Sequence, residues 1–265
     1  MLPEAHPFDV ATQLTGEHGH YRGHTSERYA NMIGPFGGII AATLLRAAME
    51  HPERKGDPLS LTINYGAPIA DGPFEVNARP TRNNRSTQHW WLELRQNDEL
   101  LITGTAVFAT RRKTWSSTEA AFPAVPPAEK VAKFSPDGRP AWLKNYDIRI
   151  IQGSILDDAD DSQTLQWIRD EPRRPLDFLS LTAICDAFLP RIFVKRKQRT
   201  PIGTVSFTVY FHITADELAA HGDREVLGSA RALRFHQGYF DHWGEIWTPE
   251  GQLLATTSQI VYFKE

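Results

Sequence analysis

Two strand-like segments of this 265-residue chain occur twice, in the same order. Residues 100–108 align with residues 253–261 at an offset of 153 positions, and residues 59–65 align with residues 205–211 at an offset of 146. Paired segments in a fixed order indicate one structural unit that is written twice. The positions at which the two copies differ are then the first places to search for chemistry.

The composition excludes several classes of protein. The chain is 41% hydrophobic and 23% charged, with a net charge of −3, so a nucleic-acid partner is not indicated. A single cysteine, Cys185, excludes an internal disulfide framework. No apolar run approaches the roughly 18 residues that span a bilayer, and the N-terminus lacks the features of a signal peptide. We therefore expect a cytoplasmic protein without a membrane partner.

The first copy is predicted to contain one buried helix followed by antiparallel strands. Residues 38–50 are good helix formers and are apolar on nearly every face, which is typical of a helix inside a fold. Asn97 and Asp98 are predicted to form a hairpin turn. The strands predicted after the helix are residues 59–65, about 73–80, about 87–96 and 100–110.

The second copy repeats this order after a proline-containing stretch, residues 114–141, which we interpret as a linker between units 1–113 and 142–265. Its helix is predicted from about Pro175 to Phe188. An α+β fold follows, in which each sheet wraps its own helix and the two sheets join edge to edge. The strands predicted after this helix are residues 204–211, 226–235, 238–247 and 253–263.

Asp186 is an acidic residue within the predicted second helix, where its neighbours are mainly apolar. Removing a carboxylate from water costs several kcal/mol unless hydrogen bonds compensate. The repeat places only apolar residues near position 40, where the first copy should match it. A buried carboxylate beside a cleft can hold a water molecule or act as a base. A structural role, with the carboxylate bonded to backbone amides, is the alternative.

Gln259 and Thr204 are two further polar residues that only the second copy keeps. Gln259 shares a mainly apolar strand face with its alternate neighbours, and its first-copy match is Ala106. Thr204 opens the strand that carries Ser206 and Thr208 on one face, and its match is Pro58. The difference between the copies makes both residues candidates for a site.

Four segments carry a family resemblance: Gly34–Gly38, Cys185–Pro190, Gly203–Ser206 and Ala255–Gln259. With these motifs the chain resembles the double-hotdog acyl-CoA thioesterases of the thioesterase II type. The resemblance covers most of the chain apart from the linker. It implies a double hotdog, an acyl-CoA substrate, and a further pairing of two chains into a dimer.

The resemblance also implies roles for Asp186, Thr204 and Gln259, because matching residues of that family position the hydrolytic water. The chain lacks the Gly-x-Ser-x-Gly motif of serine hydrolases, so a covalent serine route has little support. Backbone N–H groups at Gly37 and Gly38, at the start of the first helix, are predicted to stabilise the oxyanion. Close packing is the alternative role for these glycines. No cofactor or metal is expected.

Coenzyme A carries phosphates, so we searched the sequence for clustered cations. A solvated charged loop is the alternative interpretation of such a run. Arg82 and Arg85 form a second, weaker candidate. The stronger candidate for phosphate binding follows the second helix and consists of Arg191, Lys195, Arg196, Lys197 and Arg199.

Two other functions remain open from the sequence. Asp216 and His221 match the Asp-x-x-x-x-His pattern of hotdog enoyl-CoA hydratases. The two repeat offsets differ by seven, however, which places this pair in a lengthened connection and away from the helix start. A non-catalytic acyl-CoA-binding hotdog protein is the second alternative. His18, His20 and His24 lie close together, but no Cys or carboxylate with ligand spacing accompanies them.

Overall fold

The computed structural model describes residues 5–156 and 160–264; Met1 to Glu4, which contributed to the signal-peptide prediction, lie outside it. Within these ranges, no helix is both long enough and apolar enough to traverse a bilayer. The helices are α1 (Pro7–Ala11), α2 (Gly37–Met49), α3 (Phe178–Ile184), α4 (Arg191–Arg196) and α5 (Ala215–His221). The strands are β1 (Thr15–Glu17), β2 (His20–His24), β3 (Asp57–Tyr65), β4 (Pro73–Asn83), β5 (Thr87–Gln96), β6 (Glu99–Ala109), β7 (Tyr146–Gln152), β8 (Thr164–Asp170), β9 (Ile202–Phe211), β10 (Val226–Arg231), β11 (Phe235–His236), β12 (Tyr239–Trp247) and β13 (Leu253–Phe263).

All thirteen strands of the described residues belong to one antiparallel sheet. Its order is β1-β2-β4-β5-β6-β3-β9-β13-β12-β10-β8-β7, with β11 paired to β12. Each half contributes two strands before its helix and four main strands after it. The halves join through β3 and β9, and α2 packs against α3 beneath this seam. The α+β double-hotdog prediction is therefore confirmed.

The centre of the sheet confirms the repeat residue by residue. Thr62 of β3 lies opposite Thr208 of β9, and their hydroxyl oxygens are 3.0 Å apart. These two residues differ by 146 positions, so the local twofold axis relates residues that the offset of 146 had paired. Ala106 lies opposite Leu61 as Gln259 lies opposite Phe207, which reproduces the offset of 153.

The second helix is shorter than predicted. α2 has 13 residues, whereas α3 has only seven and begins after Asp177, whose carboxylate accepts the Ser180 N–H at 2.8 Å. The chain turns after Ile184, and the Asp186 N–H donates to the Ala183 carbonyl instead of continuing the α-helical pattern. Pro190 cannot extend the helix. Counted from the helix starts, Asp186 corresponds to Leu45 and not to a residue near position 40.

Two hairpins show where local sequence signals succeeded and failed. Asn97 and Asp98 both have positive φ and form the predicted turn between β5 and β6. The N-terminal hairpin of β1 and β2 was not predicted, although His18 and Gly19 also have positive φ and form a similar two-residue turn. The strand predicted over 226–235 ends early at Arg231.

The connection between the halves covers the outer face of the second half. After β6 the chain has no strand until β7, but it contains short 3₁₀ helices at Ala128–Lys130 and Ala141–Asn145. Ala128 packs with Trp167 and Trp247 in a small hydrophobic cluster. This segment therefore shields a face that the two central helices do not reach.

Candidate active site

Asp186 lies in the turn after α3, where the two halves of the molecule meet. Its carboxylate accepts the N–H of Gly38, in the first turn of α2, and the Nε2–H of Gln259 at 2.8 Å. The helix N-terminus contributes a partial positive charge as well as the hydrogen bond. The side chain is mostly enclosed by protein yet partly exposed to solvent. A carboxylate in this position can still receive a water molecule.

Burial controls the charge state of this carboxylate. It raises the pKa of Asp186 to about 7, while the hydrogen bonds from Gln259 and Gly38 act in the opposite direction. The group consequently changes protonation near neutral pH, where general-base catalysis is most effective.

Thr204 extends the same hydrogen-bonded chain. Its hydroxyl donates to Oε1 of Gln259 at 3.4 Å, while the amide of Gln259 donates to Asp186. The amide fits this arrangement because its oxygen and nitrogen face an O–H donor and a carboxylate acceptor, respectively. The structure thus brings together the three residues that the sequence singled out.

A β-bulge turns Thr204 toward the site. Gln259 and Val261, on one face of β13, lie opposite Phe207 and Thr204 of β9, so Val205 is an extra residue between these pairs. Without the extra residue, strict alternation would put Thr204 on the face of Ser206 and Thr208. The bulge rotates Thr204 onto the inner face, beside Gln259.

Gly37 lies where the start of α2 closely approaches Asp186 of the second half. A Cβ atom at this position would lie 2.9 Å from Oδ2 of Asp186 and 3.4 Å from the Tyr65 hydroxyl oxygen. Tyr65 was not predicted as part of the site, and its hydroxyl donates to the Gly37 carbonyl at 2.8 Å. Burial, followed by the charge of Asp186, raises the pKa of Tyr65, which keeps its hydroxyl protonated.

The two predicted oxyanion donors differ in what they contact. The N–H of Gly38 already donates to Asp186, so it does not face a free acceptor position. The prediction of a backbone N–H that stabilises the oxyanion is therefore kept for Gly37 alone. This residue is partly exposed at the start of α2.

Sequence reasoning also missed two buried polar residues next to Gln259. His242 lies opposite Gln259 across β12 and β13, and Thr257 is two residues along the same face. His242 packs edge-on against Phe188, with ring centroids 5.1 Å apart. Burial and then Arg191 hold the pKa of His242 well below its ordinary value, so the ring is neutral. The sequence repeat could not reveal His242, because its offset of 153 aligns this residue with His89, whereas the sheet register gives Trp90 as its counterpart in the first copy.

The structure contradicts the phosphate-binding prediction for Arg191. Its guanidinium is fully buried and donates to the carbonyls of Ser162 and Ala230 at 2.8 and 2.9 Å, and to the Thr164 hydroxyl at 2.7 Å. Arg191 therefore ties α4 to the sheet. The exposed members of the run are Lys195, Arg196, Lys197 and Arg199.

The hydratase pattern is not assembled into a site. Asp216 and His221 both lie on α5, in the connection between β9 and β10, as the repeat offsets predicted. Asp216 is exposed, whereas His221 is buried and its Nε2 lies 3.1 Å from the Arg224 carbonyl oxygen.

Comparison with known families agrees with this architecture. Residues 26–109 match the model of the acyl-CoA thioesterase N-terminal domain, and residues 120–263 match that of the C-terminal domain. The chain belongs to the acyl-CoA thioesterase family.

Solved structures show the same fold over almost the full length. A hotdog-fold protein of unknown function from Alicyclobacillus acidocaldarius is 50% identical, with a TM-score of 0.97 and 99% of each chain covered. An acyl-CoA thioesterase II from Mycobacterium marinum is 21% identical, with a TM-score of 0.78, 97% of this chain and 98% of that one covered. A tesB protein from Mycobacterium avium subsp. paratuberculosis is 17% identical at the same TM-score and coverage. No curated protein matches the chain.

The raised pKa of Asp186 predicts a specific effect on stability. A carboxyl group whose pKa is higher in the folded than in the unfolded state favours folding at low pH, and this contribution is lost as pH rises from about 4 to about 7. Asp186→Asn removes the ionisation. Its free energy of unfolding relative to the native chain should therefore increase by on the order of 1–2 kcal/mol between pH 5 and pH 8.

Urea unfolding at the two pH values measures this difference. Asp98→Asn is the matched control, because Asp98 is exposed in a hairpin turn whose positive φ asparagine tolerates. If the free energy of unfolding of Asp186→Asn differs from that of the native chain by the same amount at both pH values, burial does not raise the pKa of Asp186.

Proposed function

We propose that this protein hydrolyses acyl-CoA thioesters to the free acid and coenzyme A, through direct attack by a water molecule. The observation that carries the proposal is the continuous chain from Thr204 through Gln259 to Asp186 at a partly exposed position between the halves. The first copy has Pro58 and Ala106 where the second has Thr204 and Gln259. Membership of the thioesterase family supports the reaction class.

Asp186 is the proposed general base. Water held between Asp186, Gln259 and Thr204 attacks the thioester carbonyl carbon while its proton passes to the carboxylate. The C–S bond then breaks and the coenzyme A sulfur leaves as thiolate, which takes up the proton. Because Asp186 has a pKa of about 7, it can accept and return this proton near neutral pH.

The first copy supplies the proposed oxyanion stabilisation. The Gly37 N–H lies at the positive end of α2, where a carbonyl oxygen that gains negative charge is favoured. Only glycine at this position leaves room beside the Asp186 carboxylate. The reacting carbonyl would therefore lie between a helix terminus of one half and a water molecule held by the other.

A covalent route through Cys185 is disfavoured by its surroundings. The thiol is fully buried, and burial raises its pKa above the ordinary value, with Asp186 acting in the same direction. The reactive thiolate is therefore suppressed at neutral pH.

The hydrogen bonds that link Thr204, Gln259 and Asp186 predict a pH profile for the reaction and a graded loss of activity in variants of these residues. Thiol release from acyl-CoA should rise about tenfold per pH unit and level off above about pH 7, because Asp186 must be ionised to accept a proton. Asp186→Ala should lower kcat/KM by about 10³-fold. Gln259→Ala and Thr204→Val should lower it by about 10- to 100-fold, since they position the water.

Thr208→Val is the control for Thr204→Val, because Thr208 lies on the same strand but at the twofold axis. It should keep near-native turnover. Substantial thiol release by Asp186→Ala, or a burst that indicates an acyl-enzyme, would contradict the mechanism.

Gly37→Ala should disturb the geometry of the site without lowering the stability of the fold. The added methyl group would meet Oδ2 of Asp186 at 2.9 Å and displace the carboxylate by a few tenths of an ångström. Alanine is otherwise favourable within a helix. We expect kcat to fall by about 10- to 100-fold while the melting temperature stays near that of the native chain. Equal activity of the two proteins would mean that the contact of Gly37 with Asp186 is not needed.

An acyl-CoA panel of short, long and aromatic chains tests the reaction class and the acyl preference together. Thiol release identifies hydrolysis, loss of enoyl absorbance without thiol release identifies hydration, and binding without turnover identifies a non-catalytic protein. The proposed dimer can be checked on the same preparation by light scattering.

A further inference from the structure

The inner face of the second half carries a group of buried polar side chains beside the proposed site. His242 lies opposite Gln259 across β12 and β13, and Gly244 lies opposite Thr257 two residues further along. His242 and Thr257 are 4% and 1% exposed, and neither His242 Nε2 nor Thr257 Oγ1 has a hydrogen-bond partner. Buried polar atoms are normally hydrogen-bonded, so these two atoms point to a ligand.

Arg191 brings a positive charge to the same group. Its Nη1 donates to the carbonyl of Ala230, which lies opposite Gly244, while its Nε is buried without a partner. Burial lowers the pKa of Arg191 to about 9, so the guanidinium keeps its charge at neutral pH. Within the part of the chain that the structure describes, no carboxylate balances this charge. A buried cation without a counter-ion is costly, which favours an anion beside it.

The three polar side chains converge on Gly244. His242 and Arg191 both pack against the ring of Phe188, whose centroid is 5.1 Å from the imidazole centroid and 5.9 Å from the guanidinium carbon. A Cβ atom on Gly244 would lie 3.2 Å from His242 Nε2 and 2.8 Å from the methyl carbon of Thr257. The missing side chain of Gly244 therefore leaves room next to groups that can form hydrogen bonds.

The first half has no polar side chain at the equivalent positions. By sheet register these are Trp90 for His242, Leu92 for Gly244 and Gly104 for Thr257. A leucine side chain thus fills in one half the place that glycine leaves in the other. Lost apolar packing and unpaired polar groups both oppose folding. The change toward polar residues therefore favours a role in binding over a role in the core.

The distance of this group from Asp186 selects the part of a substrate that could reach it. Thr257 is two residues from Gln259 on the same face of β13, which is about 7 Å along the strand. Gln259 donates to Asp186, where water is proposed to attack the thioester. A ligand atom beside Gly244 would therefore belong to the far end of a short acyl group.

The donors decide the chemistry of that end. The Nε–H of Arg191, the O–H of Thr257 and the neutral ring of His242 can each donate, and a carboxylate accepts several such bonds while balancing the charge. We propose that Arg191, His242 and Thr257 bind a carboxylate at the far end of a short acyl group, which makes monothioesters of dicarboxylic acids the preferred substrates. This inference rests on the proposed thioesterase function, which places the thioester carbonyl at Asp186.

Two thioesters with the same number of acyl carbons measure the preference. Glutaryl-CoA ends in a carboxylate, whereas pentanoyl-CoA ends in a methyl group. For the native chain, kcat/KM should be about 100-fold higher for glutaryl-CoA, because buried donors discriminate against a ligand that cannot accept. 5-Hydroxypentanoyl-CoA offers an uncharged acceptor and should be hydrolysed less well than glutaryl-CoA. Equal kcat/KM values for these two would contradict the assignment of a carboxylate.

Thr257→Val and His242→Phe each remove one donor with little change in volume. Each should lower the ratio of kcat/KM for glutaryl-CoA to that for pentanoyl-CoA by about tenfold. Both variants leave Arg191 in place, since its loss would also release α4 from the sheet. Ser258→Ala is the matched control, because Ser258 lies between Thr257 and Gln259 but on the outer face, opposite Trp243. It should keep the native ratio. The ratio compares two substrates on one protein, so a partial folding defect does not change it.

Binding without turnover separates this inference from the proposed function. Calorimetric titration of Asp186→Asn, which lacks the proposed base, should show tighter binding of glutaryl-CoA than of pentanoyl-CoA, and adding Thr257→Val should reduce the difference. This result without thiol release from any acyl-CoA by the native chain would support the carboxylate site and refute the reaction. Hydrolysis with equal kcat/KM for the two thioesters, or an equal change of the ratio in Ser258→Ala, would overturn the carboxylate site and leave the reaction intact.

Discussion

The contact between Asp186 and the start of α2 is the interaction on which the site depends. The carboxylate belongs to the second half of the chain, but the Gly38 N–H that binds it and the Gly37 position that makes room for it belong to the first. Neither half alone would hold a carboxylate in this environment, because burial opposes its ionisation. The edge-to-edge pairing of β3 and β9 brings the two together, so the sheet seam and the site have the same origin.

The two halves share a scaffold but differ in how their helices end. α2 continues for 13 residues and is buried over most of its length, whereas α3 stops after seven and the chain turns at Asp186. In the first half the corresponding position is the buried Leu45. On the facing strand, Gln259 replaces Ala106 and brings a polar group to the place that the shortened helix leaves. The loss of helical turns and the gain of hydrogen-bonding groups are therefore parts of one structural change.

Much of the fold follows from local sequence patterns, while the details of the site depend on tertiary context. Both repeat offsets relate residues at equivalent positions in the two halves of the sheet, because register preserves the alternation of buried and exposed side chains. The early end of α3 was not predictable from its apolar composition, since the competing backbone bonds form only in the folded chain. Thr204 was chosen because the first copy has proline at its position, but the bulge that turns it toward Gln259 cannot be deduced from alternation. Arg191 shows that a run of cations does not reveal which member turns inward.

The bulge beside Thr204 shows how a duplicated fold can prepare a site without building it twice. The first half has the same irregularity, where Pro58 and Ser60 of β3 lie opposite Phe108 and Val107 and leave Leu59 as the extra residue. That half places proline at the inward position, which offers no hydroxyl. The backbone geometry is thus common to both copies, and only the side chains decide where polar chemistry occurs. One half can then retain an apolar interior that stabilises the fold, while the other carries a carboxylate whose ionisation opposes folding at neutral pH.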